Sequence, residues 1–332
     1  MSSEAEKFMN GAVRSYPCGT RRQESKAYSI LAGAFKPSSK ETAEDERAVF
    51  KRILDTVNSV PAGRRAMKEL AALGCTFGLL TGSRTGNGTN AAGFYHQEAN
   101  RIFLNPNAGY TDLSTVFIHE GRHAVQHHRL GISPSDYRIS DYFKYHRAIE
   151  ADACAHEAEF VHQVRDLRPD IYQESASLPM VKAYAGVREK GGNSKEAMSA
   201  SFRAWYGYDY YRDFYDVYHR QYIGRFFEHA MQKKKPDLFS RELPSDTIVR
   251  GCALSDGKTY IDPAFLTSPE AFSLPVEDKS VFEKQSRAYA GNVPGARFDS
   301  SPSLMYSRLW DGTVLPREDR TALVSARQVQ SR

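Results

Sequence analysis

The chain has 332 residues, 41% hydrophobic and 26% charged, which allows one large domain or two ordinary ones. Its formal net charge of +5 is too small to indicate an obligate nucleic-acid binder. No run is apolar enough to cross a bilayer, and the N-terminus lacks the apolar core of a signal peptide. We therefore expect a soluble, cytoplasmic protein without a nucleic-acid partner; its polar N-terminus also permits delivery as an effector without a cleaved signal.

The N-terminal third of the chain changes from weak to clear helical periodicity. Residues 1–40 are polar and predict a loosely ordered arm. From residue 41 onward Val49, Ile53 and Val57 recur at helical spacing. Pro61 breaks this helix, and "AGRRAMKELAALG" predicts a second helix that a glycine ends. "CTFGLL" is then a candidate strand.

A hairpin and a helix follow. In "GFYHQEANRIFLNP" the runs "GFYHQ" and "RIFLN" flank a turn at Glu98–Asn100. "YTDLSTVFIHEGRHAVQHHRLG" predicts a helix, which Thr111 or Asp112 can cap and Gly131 can end. We expect the two strands to pair antiparallel and to pack against this helix.

The second half is predicted to be mostly helical. One long helix is expected over about 141–167, closed by Pro169. An aromatic-rich helical region follows, interrupted near Gly207, and rings at helical spacing are typical of a packed core. "TIVRGCALSDGKTYID" predicts a second hairpin with Asp256–Gly257 at its turn. The last 45 or so residues are rich in Ser, Pro and Arg and are expected to wrap loosely over the body.

The predicted helix after the first hairpin carries H-E-x-x-H as His119, Glu120 and His123. Residues i and i+4 share a helix face, so the two histidines can direct imidazole nitrogens at one Zn²⁺ ion. Glu120 can flank the metal without binding it, where a base takes a proton from a metal-bound water. Iron, cobalt or nickel would fit the same ligands.

A zinc site needs a third protein ligand, and the following helix offers one. Glu150 lies among alanines, and such small neighbours let two helices approach closely. The same helix carries four alternatives: Asp152, His146, His156 and Glu157. His127 and His128, which follow the motif directly, are expected to be solvated or to support the ligands.

The segments "GFYHQEANRIFLNP", "LSTVFIHEGRHAVQ" and "EADACAHEAEF" resemble the uncharacterised metallopeptidase domains of bacterial proteins. More broadly they are similar to the gluzincin pattern of a hairpin, an H-E-x-x-H helix and a glutamate-bearing helix. The resemblance covers about residues 75–165. It implies that His119, His123 and Glu150 are metal ligands and that Glu120 is the general base. It also implies that "RIFLN" is the sheet edge beside which an extended peptide lies.

We therefore expect a helix-rich α+β fold with a zincin-like core and a mostly helical C-terminal lobe. We expect four parts: a loosely ordered arm (1–40), a metallopeptidase core (41–168), an aromatic helical lobe with a hairpin (169–285) and an irregular tail (286–332). The expected function is zinc-dependent hydrolysis of a peptide or protein. No transition-state-stabilising residue is assigned by the resemblance; the candidates are His219, Tyr215 and Tyr218.

The alternative function belongs to a different class. A non-catalytic interaction or effector protein could keep a structural zinc, with the aromatic segment 202–227 as its partner surface. The intact Glu120 argues against this alternative, because a purely structural site does not need a base.

Overall fold

A computed structural model of the protein describes residues 26–80, 91–110, 112–309 and 311–315. Helices predominate within these ranges and accompany two small three-stranded sheets. The prediction of a helix-rich α+β fold is therefore confirmed. None of the described helices is long and apolar enough to span a membrane.

Three helices begin the described chain: α1 (Lys26–Ala34), α2 (Ala43–Asn58) and α3 (Pro61–Ala72). Helix α1 buries Tyr28 and Leu31, and Phe35 after it forms an isolated parallel bridge with Phe77. The expected loose arm is thus wrong for these residues, because their apolar side chains share one helix face and pack on the core. Residues 1–25 lie outside the described ranges.

The first sheet contains β1 (Thr76–Leu79), β2 (Gly93–His96) and β3 (Arg101–Leu104), in the order β1-β3-β2. Strands β2 and β3 pair antiparallel and β1 and β3 pair parallel, which confirms the predicted hairpin and strand. The expected edge is corrected. "RIFLN" forms the central strand because β1 occupies its other side, so β2 is an edge among the described strands.

Two packed helices follow: α4 (Ser114–Leu130) and α5 (Ile139–Val164). The Asp112 carboxylate accepts the Ser114 backbone N–H at 2.7 Å, and Gly131 ends α4 in the left-handed region at φ 57°. Gly131 thus ends α4 as predicted, whereas the N-cap residue is Leu113, which Asp112 precedes; Thr111 lies outside the described residues. Helix α4 packs against β2 and β3 as expected.

The remaining helices form most of the second half: α6 (Pro169–Ser175), α7 (Pro179–Glu189), α8 (Ser194–Tyr206), α9 (Asp209–Lys233), α10 (Ser245–Gly251) and α11 (Val276–Asn292). The break between α8 and α9 confirms the interruption near Gly207.

The second predicted hairpin is wrong, since α10 occupies its first arm. Ile248, Val249 and Cys252 are buried at helical spacing there, and only a turn remains, where Leu254 N–H donates to Lys258 O at 2.8 Å.

The C-terminal part has a sheet and an apolar cluster of its own. Strands β4 (Ser273–Pro275), β5 (Tyr306–Arg308) and β6 (Val314–Leu315) form the sheet. The cluster beside it contains Phe143, Phe227 and Phe282. The expected irregular tail is therefore wrong for its described part, where β5 is mostly buried.

Candidate metal centre

The structure brings the three predicted ligands together. Nε2 of His119 lies 3.4 Å from Oε2 of Glu150, and Nε2 of His123 lies 3.6 Å from the same oxygen. In a tetrahedral zinc site with bonds of about 2.0–2.1 Å, ligand atoms are about 3.3–3.4 Å apart. The spacing therefore leaves room for one ion among these atoms.

The Glu150 carboxylate has the character of a metal ligand. Its Oε2 is buried and has no hydrogen-bond partner among the described residues. Burial alone would raise the pKa of Glu150. The adjacent His123 and His119 lower it by more, so the pKa lies well below its usual range. An ionised oxygen that faces two imidazole nitrogens without a hydrogen bond fits a cation.

Each histidine is oriented by a second contact through its other nitrogen. Nδ1 of His119 lies 3.3 Å from Oε2 of Glu157, and Nδ1 of His123 lies 2.8 Å from Oε1 of Gln126. Both contacts leave Nε2 for the centre, as is common for metal-binding imidazoles. Sequence reasoning missed Gln126, although its i+3 spacing from His123 was a signal.

A second group of three could also hold an ion: His119, Cys154 and Glu157. It shares His119 with the first group but lacks His123. Burial raises the pKa of Cys154 to about 11, which favours the neutral thiol, whereas the thiolate is the form that binds metals. The group with two imidazoles and Glu150 is therefore the better zinc site.

The other predicted alternatives have different partners. Asp152 accepts hydrogen bonds from Arg122 and Tyr260, and His156 lies 3.7 Å from the same carboxylate. The His146 ring lies 4.1 Å from the His219 ring.

The two histidines after the motif also lie apart from the ligands. Nε2 of His128 lies 3.2 Å from Oδ1 of Asn100. The His127 ring lies 5.9 Å from that of Tyr95.

Glu120 lies between the two histidines and the edge strand. Burial raises its pKa, and His123, His119 and the backbone N–H of Tyr95 in β2 partly offset this effect. A Cβ on Gly93 would lie 3.2 Å from Cγ of Glu120. The missing side chain thus lets the edge strand pass directly beside this carboxylate.

Of the three tyrosine and histidine candidates, Tyr215 reaches the centre. Burial and the nearby charge of Glu150 raise the pKa of its hydroxyl well above the usual value. The His219 ring instead contacts the hydroxyl of Tyr142. Tyr218 is bonded to Tyr222 at the surface.

Two imidazoles, one carboxylate and a neighbouring unligated carboxylate define the class of protein with a hydrolytic mononuclear metal site. The chain belongs to the family described as "Putative metallopeptidase family (DUF6782)", whose family model matches residues 27–261. Metallopeptidases use a metal, commonly zinc. Comparison with curated proteins and with solved structures gives no match.

Proposed function

We propose that the protein is a zinc metallopeptidase of the gluzincin type, in which His119, His123 and Glu150 hold the ion and Glu120 is the general base. One observation carries this proposal. Oε2 of Glu150 lies 3.4 Å from Nε2 of His119 and 3.6 Å from Nε2 of His123. Glu120, which follows His119 in the sequence, is left out of this ligand set.

Each residue of the centre has a proposed role in hydrolysis. A bound zinc would polarise the scissile carbonyl and acidify the attacking water. Glu120 accepts the water proton and passes it to the leaving amine, which is the usual double role of such a base. The Tyr215 hydroxyl donates a hydrogen bond to the oxygen that becomes negatively charged.

The substrate is proposed to be a peptide segment in extended form. Strand β2 has a partner on one side only among the described strands, and a Cβ on its residue Gly93 would lie 3.2 Å from Cγ of Glu120. A peptide that adds to this edge gains main-chain hydrogen bonds and places its backbone beside the base. Helix α9 carries Tyr215, and the mostly helical C-terminal lobe is proposed to close the cleft.

Two variants test the proposal together. Glu120→Gln keeps the shape but loses the proton acceptor, so we expect near-stoichiometric zinc, an unchanged melting temperature and turnover lowered by about 10² or more. His123→Ala should lose zinc and thermal stability together, because metal binding is coupled to folding. The measurements are metal content, melting temperature and hydrolysis of an unfolded protein substrate. Equal turnover in Glu120→Gln and wild type would contradict the assignment of the base.

A second candidate function is supported by one surface. Tyr210, Phe214 and Val217 of α9 are exposed, at 70%, 63% and 43%, and they follow one another at helical spacing. This face could bind a partner in a non-catalytic interaction protein. That function would be favoured if Glu120→Gln retained both zinc and full biological activity.

A further inference from the structure

A cavity of about 470 Å³ lies on the far side of α4 from the proposed metal centre. Helix α4 lines it with Ile118, Gly121, Arg122 and Val125. At about 100° per residue, these positions form a face centred roughly 130° around the helix from His119 and His123. The other walls come from α3, α5, the first turn of α8 and the segment 254–258.

Arg122 brings an unused hydrogen-bond donor to this cavity. The residue is only 3% exposed. Its Nε and Nη2 donate to Asp152, and Nη2 also donates to the Ala253 carbonyl. Its Nη1 has no partner among the described residues. A guanidinium can only donate, so the missing partner is an acceptor.

A second wall residue has the same property. The side chain of His156 lines the same cavity; its Nε2 is buried without a hydrogen-bond partner among the described residues and lies 3.7 Å from Oδ1 of Asp152. The imidazole can donate through this nitrogen in one tautomer. Two residues on adjacent helices, α4 and α5, thus line the cavity and each keeps one buried nitrogen without a hydrogen bond.

The charges around the cavity favour an anion. Its carboxylates are already paired: Glu159 with Arg65, Glu69 with Arg129, and Asp256 with Lys258. Lys195 lines the cavity and forms no ion pair within the part of the chain that the structure describes. It lies in the first turn of α8, where Asn193 and Glu196 already form a capping box.

We propose that this cavity binds a small molecule through an oxyanion group, a carboxylate or a phosphate. The anion accepts from Nη1 of Arg122 and lies near Lys195. The volume is within the range of small-molecule sites, about 300–1,000 Å³. The rest of the ligand would contact the apolar wall formed by Ile118, Val125 and Met198.

The cavity is linked to the metal centre by hydrogen bonds. Arg122 and Gln126 share one acceptor, Oδ2 of Asp152, at 2.6 Å each. Gln126 in turn lies 2.8 Å from Nδ1 of His123. A ligand bound to Arg122 can therefore affect Gln126, the residue that orients His123, through the shared Asp152 carboxylate. This consequence rests on the proposed function, whereas the binding site itself does not.

The test measures anion binding to the zinc-loaded full chain. The melting temperature is followed against the concentration of inorganic phosphate or acetate, with chloride at equal ionic strength as reference, and Kd is taken from the increase. Ala66→Leu fills the cavity from α3, and Ala72→Leu on the same helix is its exposed control. Lys195→Glu reverses the charge at the mouth, and Lys190→Glu is its exposed control outside the cavity.

We expect saturable stabilisation of wild type and both controls, with Kd raised about tenfold or more in Ala66→Leu and Lys195→Glu. A response to phosphate alone indicates a phosphate ligand, and one to acetate indicates a carboxylate. Phosphate bound at the zinc would act equally on all variants. An unchanged Kd in Lys195→Glu and in folded Ala66→Leu overturns the proposal, as does no effect of either anion beyond chloride. If Ala66→Leu does not fold, Lys195→Glu decides.

Discussion

Tyr215 connects a distant helix to the proposed catalytic centre. It belongs to α9, yet burial and the charge of Glu150 of α5 raise the pKa of its hydroxyl. The side chain is partly buried, which holds the ring in place. A hydroxyl in this position can donate to a negative charge that develops on the substrate beside the metal.

Tyr215→Phe should therefore lower kcat by about 10², with zinc content and melting temperature close to those of wild type. Tyr218→Phe is the matched control, because this neighbouring hydroxyl is bonded to Tyr222 at the surface. Steady-state kinetics on one peptide substrate would compare the two variants. Equal kcat in Tyr215→Phe and Tyr218→Phe would remove Tyr215 from the mechanism.

The sequence could predict the local part of the site but not its long-range part. His119, Glu120 and His123 are positioned by helix geometry alone. Glu150 was favoured over its neighbours because alanines surround it. Tyr215 could be named only among three candidates, since a contact between α5 and α9 depends on how the whole chain packs.

At the scale of elements, the corner between α2 and α3 depends on a glycine. A Cβ on Gly63 would lie 1.8 Å from the carbonyl oxygen of Val57, so the backbone of the two helices meets with no room for a side chain. Gly186 in α7 differs, since a Cβ there would have no atom within 4 Å.

Gly63→Ala and Gly186→Ala should thus act in opposite directions. Gly63→Ala must move the backbone, and we expect a loss of about 1–3 kcal/mol in the free energy of unfolding. Gly186→Ala should gain about 0.5–1 kcal/mol, because alanine is the better helix former. Urea denaturation of both variants checks the signs. Equal free energies of unfolding for the two variants would show that the backbone between α2 and α3 can move to accept a side chain at residue 63.

The predictions succeeded for elements with clear local signals and failed where tertiary contacts decide. Asp112 accepts the N–H of Ser114, the first residue of α4, and Gly131 ends the helix; both signals are local. "TIVRGCALSDG" carries β-branched residues before a turn, which indicated a hairpin. Burial of Ile248 and Val249 on one side of a short helix overrides that preference.

At the scale of the whole molecule, a buried ion cluster joins distant parts. Nη2 of Arg147 in α5 lies 2.7 Å from Oδ2 of Asp216 in α9, and Nη2 of Arg308 in β5 lies 2.9 Å from it. Arg147 also donates to the carbonyls of Ala271 and Ser273. The C-terminal sheet beyond residue 261, where the family match ends, is thereby fixed to the helix that carries Glu150.

Asp216→Asn leaves the buried guanidinium of Arg147 without its counter-charge and that of Arg308 with the half-exposed Asp213 alone, and we expect a loss of about 3–5 kcal/mol in stability at pH 7. Asp213→Asn is the control, because Asp213 also pairs with Arg308 but its side chain is 57% exposed. We expect a loss of at most about 1 kcal/mol there.

The pH dependence of this loss follows from the pKa of Asp216. Burial alone would raise it, but Arg147 and Arg308 hold it below its usual value. A lowered pKa means that the contribution is complete above the unfolded value, roughly 4, and is lost as the pH falls through the folded value. Urea denaturation at pH 7 and pH 3 should show a smaller difference between Asp216→Asn and wild type at pH 3. A constant difference would rule out ionisation as the cause.

A column of aromatic rings runs from the first helix to the helix of the metal ligands. Phe35 stacks on Phe50 at 4.7 Å, Phe50 lies 5.1 Å from Phe77, and Phe77 stacks on Phe117 of α4 at 5.4 Å. A shortened chain that begins at residue 41 would remove the outer ring and expose the next one to water. We expect such a chain to aggregate and to bind less than stoichiometric zinc, whereas one that begins at residue 26 keeps the column. Light scattering and metal content would distinguish the two shortened chains. The shortest chain that binds zinc fully should include Phe35.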